Sequence, residues 1–142
     1  MGEIETFVSR SGNYTDWHTD FQENFTMQLK GSKRWRLKVS GLRSPLMGFT
    51  PHYKNSGNLE IQHKVHMAYN QVNMIAQYDK KELDKNCDEI ILNEGDVLYH
   101  PAGIWHSVES VGDSIAINLS MKAMRVGEFV TQALQGSLFK DL

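Results

Sequence analysis

Two short patterns in this chain carry residue types able to grip a metal ion. The first runs Gly12, His18, Asp20, Asn24, Gly31; the second runs Gly95, Pro101, Gly103, His106. Residues two apart on a strand project to the same side, so His18 and Asp20 converge on one point. The Pro-x-Gly turn at Pro101–Gly103 returns the chain, which lets His106 come beside the first strand of a closed barrel. Two imidazoles and one carboxylate on one face of an ion leave its other positions open, the arrangement of non-heme iron(II) oxygenases. Zinc accepts the same donors, and a lone His-x-Asp occurs by chance. The two glycine frames and the third donor lift the pattern above that background.

A second feature is Lys33. It shares strand parity with Trp35, Leu37 and Val39, against Arg34, Arg36 and Lys38, so it is expected to point into a barrel. An ammonium group inside a barrel is costly unless it meets an anion, and a bound dicarboxylate supplies one. The alternative is a lysine at a strand start that snorkels to the barrel mouth.

Other groups with chemical potential are read more plainly. Lys30, Lys33, Arg34, Arg36, Lys38 and Arg43 form a basic run, but its alternation with apolar residues fits the solvated face of a strand better than a nucleic-acid surface. His100 precedes the Pro-x-Gly turn and is assigned a structural role. His52, His63 and His66 lie in a stretch with little pattern. Cys87 sits among polar residues without a recognisable catalytic partner. Trp35 and Trp105 are read as core or barrel wall, whereas Trp17, next to a metal donor, is a candidate for the substrate mouth.

The elements that must position these groups are mostly strands. Ile4–Ser9 alternates weakly, and Arg10–Tyr14 is turn chemistry. Asn24–Lys30 sets Phe25, Met27 and Leu29 against Thr26 and Gln28. Lys33–Val39 alternates again after Gly31-Ser32, so the two runs are expected to form an antiparallel hairpin. From Gly41 to about Glu89 little is readable: Ser44-Pro45 and Asn55–Asn58 look like loops, Lys64–Gln77 fits strand or helix, and Lys80–Asp88 looks solvated. Strands return at Ile90–Leu92 and Val97–His100, followed by two more through Met121. Val126, Phe129, Val130, Ala133, Leu134 and Leu138 recur at helical spacing. Short strands, glycine turns and one terminal helix give an all-β sandwich or barrel with a C-terminal α-helix.

Composition narrows the function classes. At 142 residues the chain is long enough for one domain with a real core, and a net charge of -2 gives no general attraction to nucleic acid or anionic membranes. One cysteine allows no intrachain disulfide, and no apolar run reaches membrane-spanning length. The expected location is intracellular, cytoplasmic or nuclear. A strand-like run directly after Met1-Gly2 is what a piece of a longer protein would show.

The two glycine-framed motifs resemble those of the cupin superfamily, with Asp20 where a second histidine is usual and Asn24 where a glutamate is usual. Those departures are similar to the JmjC branch. Tyr14–Leu37 (YTDWHTDFQENFTMQLKGSKRWRL) resembles the JmjC signature nearly residue by residue, and Gly95–Ser120 resembles its C-terminal half. The resemblance implies a double-stranded β-helix over residues 1–123, with residues 124–142 forming a helix that packs on the barrel or on a partner. It further implies a dioxygenase in which iron(II) is held by His18, Asp20 and His106, with 2-oxoglutarate as co-substrate and O2 as oxidant. Lys33 would receive the distal carboxylate, assisted by Thr15, while Asn24 and Asn118 match amide positions near the keto-acid end. The implied reaction is hydroxylation of a protein or peptide side chain, with histone lysine demethylation and a non-catalytic metal-binding module as alternatives. Val126–Val130 faintly resembles the onset of a dimerisation region in ribosomal oxygenases, which leaves monomer and homodimer open.

Overall fold

Eight antiparallel strands build the barrel in a computed structural model that describes residues 2–39, 64, 80–122, 124 and 126–138. In chain order they are β1 (Gly2–Ser9), β2 (Tyr14–Thr19), β3 (Glu23–Lys30), β4 (Lys33–Lys38), then helix α1 (Lys80–Lys85). There follow β5 (Asp88–Leu92), β6 (Val97–His100), β7 (Trp105–Ser110), β8 (Ser114–Met121) and helix α2 (Val126–Leu138). One sheet has the order β1-β8-β3-β6 and the other β2-β7-β4-β5. Successive strands cross between the sheets at every step except β4 to β5, which winds the chain as a double-stranded β-helix. The readings at Ser44-Pro45, Asn55–Asn58 and Lys64–Gln77, with Arg43, His52, His63 and His66, lie outside the described residues, Lys64 alone excepted.

The expected hairpin around Gly31-Ser32 does not form. β3 pairs with β6 and β8, whereas β4 pairs with β5 and β7, so the glycine turn carries the chain from one sheet to the other. Gly31 has φ 67°, and a Cβ there would run into the Asp113 carbonyl of the neighbouring turn. Only glycine accepts both conditions.

The first sheet is apolar on its outside and polar within. Asn24, Thr26, Gln28, Ser114, Asn118 and Ser120 face the lumen and are buried, while Ile4, Val8, Met27, Val97, Tyr99 and Leu119 point outward and are exposed. The second sheet sends Lys33, Trp35, His106 and Ser110 inward. Part of its outer face is covered by α1, which is tied down by the Trp17 Nε1–Asp84 hydrogen bond of 2.8 Å and, just past its end, by Lys38 Nζ donating to the Asn86 carbonyl at 2.7 Å. Trp17, Leu83 and Trp105 are buried on that side. Lys80–Asp88 is solvated as read, Leu83 being its one buried residue, while the mouth position of Trp17 is corrected: a six-residue helix with one apolar side chain offers no periodicity to announce the cover.

The C-terminal helix forms as the spacing requires. Val126, Phe129, Val130 and Leu134 are all exposed on it. Just past β8, the Lys122 ammonium lies 3.5 Å from Glu128 in the first turn of the helix.

Candidate metal centre and lumen

A bulge in β2 decides which side chains enter the lumen. Thr15 pairs with Val108 but His18 pairs with His106, so β2 spends one residue more than β7 over this stretch. Thr15 and His18 have opposite parity in sequence, yet both line the same cavity. The extra residue turns Asp16 and Trp17 toward the outside, where Asp16 accepts two hydrogen bonds from Lys80 at 3.0 Å. Burial alone would raise the Asp16 pKa. Hydrogen bonds from Lys80, the Trp17 amide and the Tyr14 hydroxyl outweigh it and hold the carboxyl below its ordinary value.

His18, Asp20 and His106 each offer one donor atom, and these atoms lie within 4.8 Å of one another. His18 and His106 face each other across β2 and β7, with ring centroids 4.0 Å apart. His18 Nδ1 donates to the Asp16 carbonyl at 2.8 Å, and His106 Nδ1 to the Ile104 carbonyl at 3.2 Å. A carbonyl only accepts, so both rings carry their proton on Nδ1 and present the Nε2 lone pair for coordination. Asp20 lies just past β2. Its carbonyl accepts from the Gly103 amide at 2.7 Å, which pins the Pro101–Gly103 turn beside it. His106 Nε2 is 3.5 Å from Asp20 Oδ2. The donor set and its second layer of hydrogen bonds fit a divalent transition metal with open positions.

A polar chain from the first sheet holds the carboxylate. Asn24 Nδ2 donates to Asp20 Oδ2 at 3.0 Å. Asn24 Oδ1 accepts from Asn118 Nδ2 at 3.0 Å and from Ser120 Oγ at 2.6 Å, and Thr26 donates to Asn118 Oδ1 at 2.9 Å. Asn118 borders the cavity, whereas Asn24 stands behind Asp20.

Lys33 points inward as its parity requires and is 5% exposed. Its Nζ lies 5.3 Å from the centroid of the Phe7 ring. Among the described residues no carboxylate is bonded to it, and burial pushes its pKa down. Val39, expected on the same face, is beyond the end of β4 and exposed. The basic groups on the opposite face are matched by acids: Arg34 with Glu89 and Glu109, Arg36 with Glu89.

The cavity holds about 250 Å³ and brings Thr15, His18, Asp20, Lys33, His106 and Asn118 together. Its wall also includes Glu5, Phe7 and His100, which sequence reasoning missed. Glu5 and Phe7 enter through the β1–β8 register, opposite Asn118 and Ala116. Nothing local signals that pairing. His100 had a usable signal: it shares parity with Leu98 on β6 and pairs with Asn24. Its ring centroid lies 4.5 Å from that of His106, but the donor cluster consists of His18, Asp20 and His106 without it. Burial lowers the His100 pKa, partly opposed by the Asp20 charge.

Comparisons with known proteins agree with this architecture. Residues 2–120 match the cupin-like domain. JmjC domain-containing protein D of Dictyostelium discoideum is 31% identical over 118 residues, covering 81% of this chain and 24% of that protein. The ribosomal oxygenase YcfD of Escherichia coli, solved with cobalt and 2-oxoglutarate, superposes with a TM-score of 0.56 at 17% identity, covering 99% of this chain and 28% of that one. A cupin superfamily protein from Desulfitobacterium hafniense gives 0.50 at 12% identity, covering 86% of this chain and 68% of its own. The chain thus spans about a quarter of the Dictyostelium relative, and no described helix is long and apolar enough to cross a membrane.

Proposed function

The chain belongs to the cupin-like domain family, and on that premise we propose that it is an iron(II)- and 2-oxoglutarate-dependent oxygenase that hydroxylates a protein or peptide side chain. One observation carries the reading: a three-donor cluster and a buried lysine with no acidic partner among the described residues share one cavity. A structural zinc site has no use for such a lysine, whereas a dicarboxylate chelating the metal at one end needs a cation at the other.

His18, Asp20 and His106 are assigned to the metal, Lys33 and Thr15 to the distal carboxylate, and Asn118 to the metal-side end. Asn24 is assigned to holding Asp20. The iron, when bound, supplies activation of O2 coupled to decarboxylation of the keto acid. The protein's own share is orientation: the Asp16 and Ile104 carbonyls fix two imidazoles, Asn24 fixes the carboxylate, and Trp35 and Phe7 wall the lumen. The paired outer arginines favour a protein partner over nucleic acid. The exposed stripe of α2 is the proposed contact of a homodimer.

The test is a mass-spectrometric screen of candidate peptides with iron(II), 2-oxoglutarate and O2, with His106→Ala as control. A gain of one oxygen supports hydroxylation, and loss of a methyl group redirects the reading to demethylation. Succinate release by neither wild type nor variant, with metal bound, leaves only a binding module.

A further inference from the structure

Two neighbours of a metal donor are gripped from outside the barrel by one face of a helix. Asp16 and Trp17 stand between the Thr15–Val108 and His18–His106 pairs, two residues against the single Ser107. Lys80 Nζ donates to both carboxylate oxygens of Asp16 at 3.0 Å, and Asp84 accepts from Trp17 Nε1 at 2.8 Å. Lys80 and Asp84 are four apart on α1 and so share one side of it. Successive residues of the bulge thus meet successive turns of the helix, with Trp17 and Leu83 buried at the contact. A bulge interrupts the regular ladder, so side-chain contacts have more to do in fixing its backbone.

That backbone carries the acceptor for His18. The Asp16 carbonyl and the Trp17 amide belong to one peptide unit, which is held nearly flat by its partial double bond. At one end of the plane the carbonyl takes the His18 Nδ1 proton at 2.8 Å. At the other the Trp17 amide donates to Asp16 Oδ1 at 2.9 Å, the same oxygen that the Tyr14 hydroxyl meets at 3.0 Å. Lys80 holds that carboxylate and Asp84 holds the Trp17 ring, so a shift of α1 tilts the plane and the imidazole bonded to it. The other two donors are oriented from elsewhere: His106 by the Ile104 carbonyl, Asp20 by Asn24 and Gly103.

We propose that α1 is a clamp on the metal centre, with Lys80 and Asp84 as positioning residues that set His18 through the Asp16–Trp17 peptide plane. This rests on His18 being a metal ligand and is independent of the co-substrate.

The experiment measures cobalt(II) affinity of the full chain by competition with a chelator, records the visible cobalt bands, and follows urea unfolding of the same variants. The Lys80 side chain is 40% exposed, so Lys80→Met keeps the fold. It is expected to weaken cobalt about three- to tenfold and to alter the bands, less than loss of a direct partner of a metal ligand would. Lys80→Arg is expected to recover most of the loss. Asp84→Ala is expected to act in the same direction, and Asp84→Asn, which keeps an acceptor, to recover it. Lys38→Met cuts the tie at Asn86 without touching the bulge and is expected to leave cobalt within about twofold. In a His18→Ala background, Lys80→Met is expected to change the residual affinity less than twofold.

Unchanged cobalt affinity in both Lys80→Met and Asp84→Ala overturns the proposal and leaves α1 a cover alone. An equal loss in Lys38→Met overturns it as well, because any loosening of the helix would then suffice. A loss that persists without His18 overturns it too, since the effect would run through another donor. His18→Ala with wild-type cobalt affinity refutes the metal assignment and the clamp together. No 2-oxoglutarate is present in any arm, so the oxygenase reading is decided separately.

Discussion

Lys33→Met should make the ligand-free domain more stable and the domain less able to bind a diacid. Wild-type Lys33 is 5% exposed, and its ammonium lies 5.3 Å from the centroid of the Phe7 ring with no acidic partner among the described residues. Burial lowers its pKa, so the protonated side chain weighs against folding at every pH below the ordinary lysine value, and the penalty fades only as pH rises toward 10.5. The cation–π contact returns part of that cost, leaving a net gain on the order of 1 kcal/mol for the methionine. For a domain of this size that is roughly 4 °C in Tm at neutral pH. Losing the charge-assisted bond to a distal carboxylate costs about 1.5–3 kcal/mol, or ten- to a hundredfold in Kd. Thr15→Val, which removes a neutral partner, should cost less. Scanning calorimetry on the apo protein and titration calorimetry with 2-oxoglutarate on the manganese-loaded protein give the two signs. A Tm that falls, together with an unchanged Kd, would refute the reasoning and place the lysine head in solvent.

Asn24→Ala should weaken cobalt binding ten- to a hundredfold in competition with a chelator, because Asp20 loses the amide that orients it; an unchanged affinity would show that the turn alone positions the carboxylate. Gly31→Ala should cost about 2 kcal/mol or more in urea unfolding, since positive φ and the Asp113 carbonyl both oppose a Cβ. The Asp16–Lys80 pair should contribute at neutral pH no more than about 1 kcal/mol, being partly exposed. The Asp16 share is lost as pH falls from 3.8 toward its depressed folded value, and the Lys80 share as pH climbs above 10.5 through its raised one. The Tm difference between wild type and Lys80→Gln should therefore shrink in acid; a difference that persists at pH 2 counts against the pair. Phe129→Glu should reduce a dimer to monomer in light scattering, and a wild type monomeric at high concentration would dismiss the α2 interface.

The three candidate donors and the inward aim of Lys33 were legible from residue type, strand parity and the Pro-x-Gly turn before His106. Pairing was not. Gly31-Ser32 and its flanking alternation look the same whether the chain returns beside itself or crosses to the facing sheet, and only contacts distant in sequence, such as Lys33 with Ser110, tell the two apart. The same limit hid Glu5 and Phe7, which reach the lumen only through β8. Trp17 was misplaced because its cover, α1, comes from a segment more than sixty residues away and too short to announce itself. His100 was set aside for its place before a turn, although its parity with Leu98 already aimed it at the lumen.

The bulge in β2 makes chain length a component of the barrel's outer anchorage. A deletion of one residue at Asp16 or Trp17 would restore simple alternation and keep Thr15 and His18, then two apart, on the same wall, yet it would remove one of the two side chains turned outward to Lys80 and Asp84. The extra residue therefore serves the outer face of the sheet, while the lumen keeps its two side chains with or without it. Any library that varies this barrel should hold the spacing from Tyr14 to Asp20 constant. The same rule helps in reading distant sequences: a chain with a two-residue step from threonine to histidine still faces both inward, but it offers an outer helix one residue between them where this chain offers two.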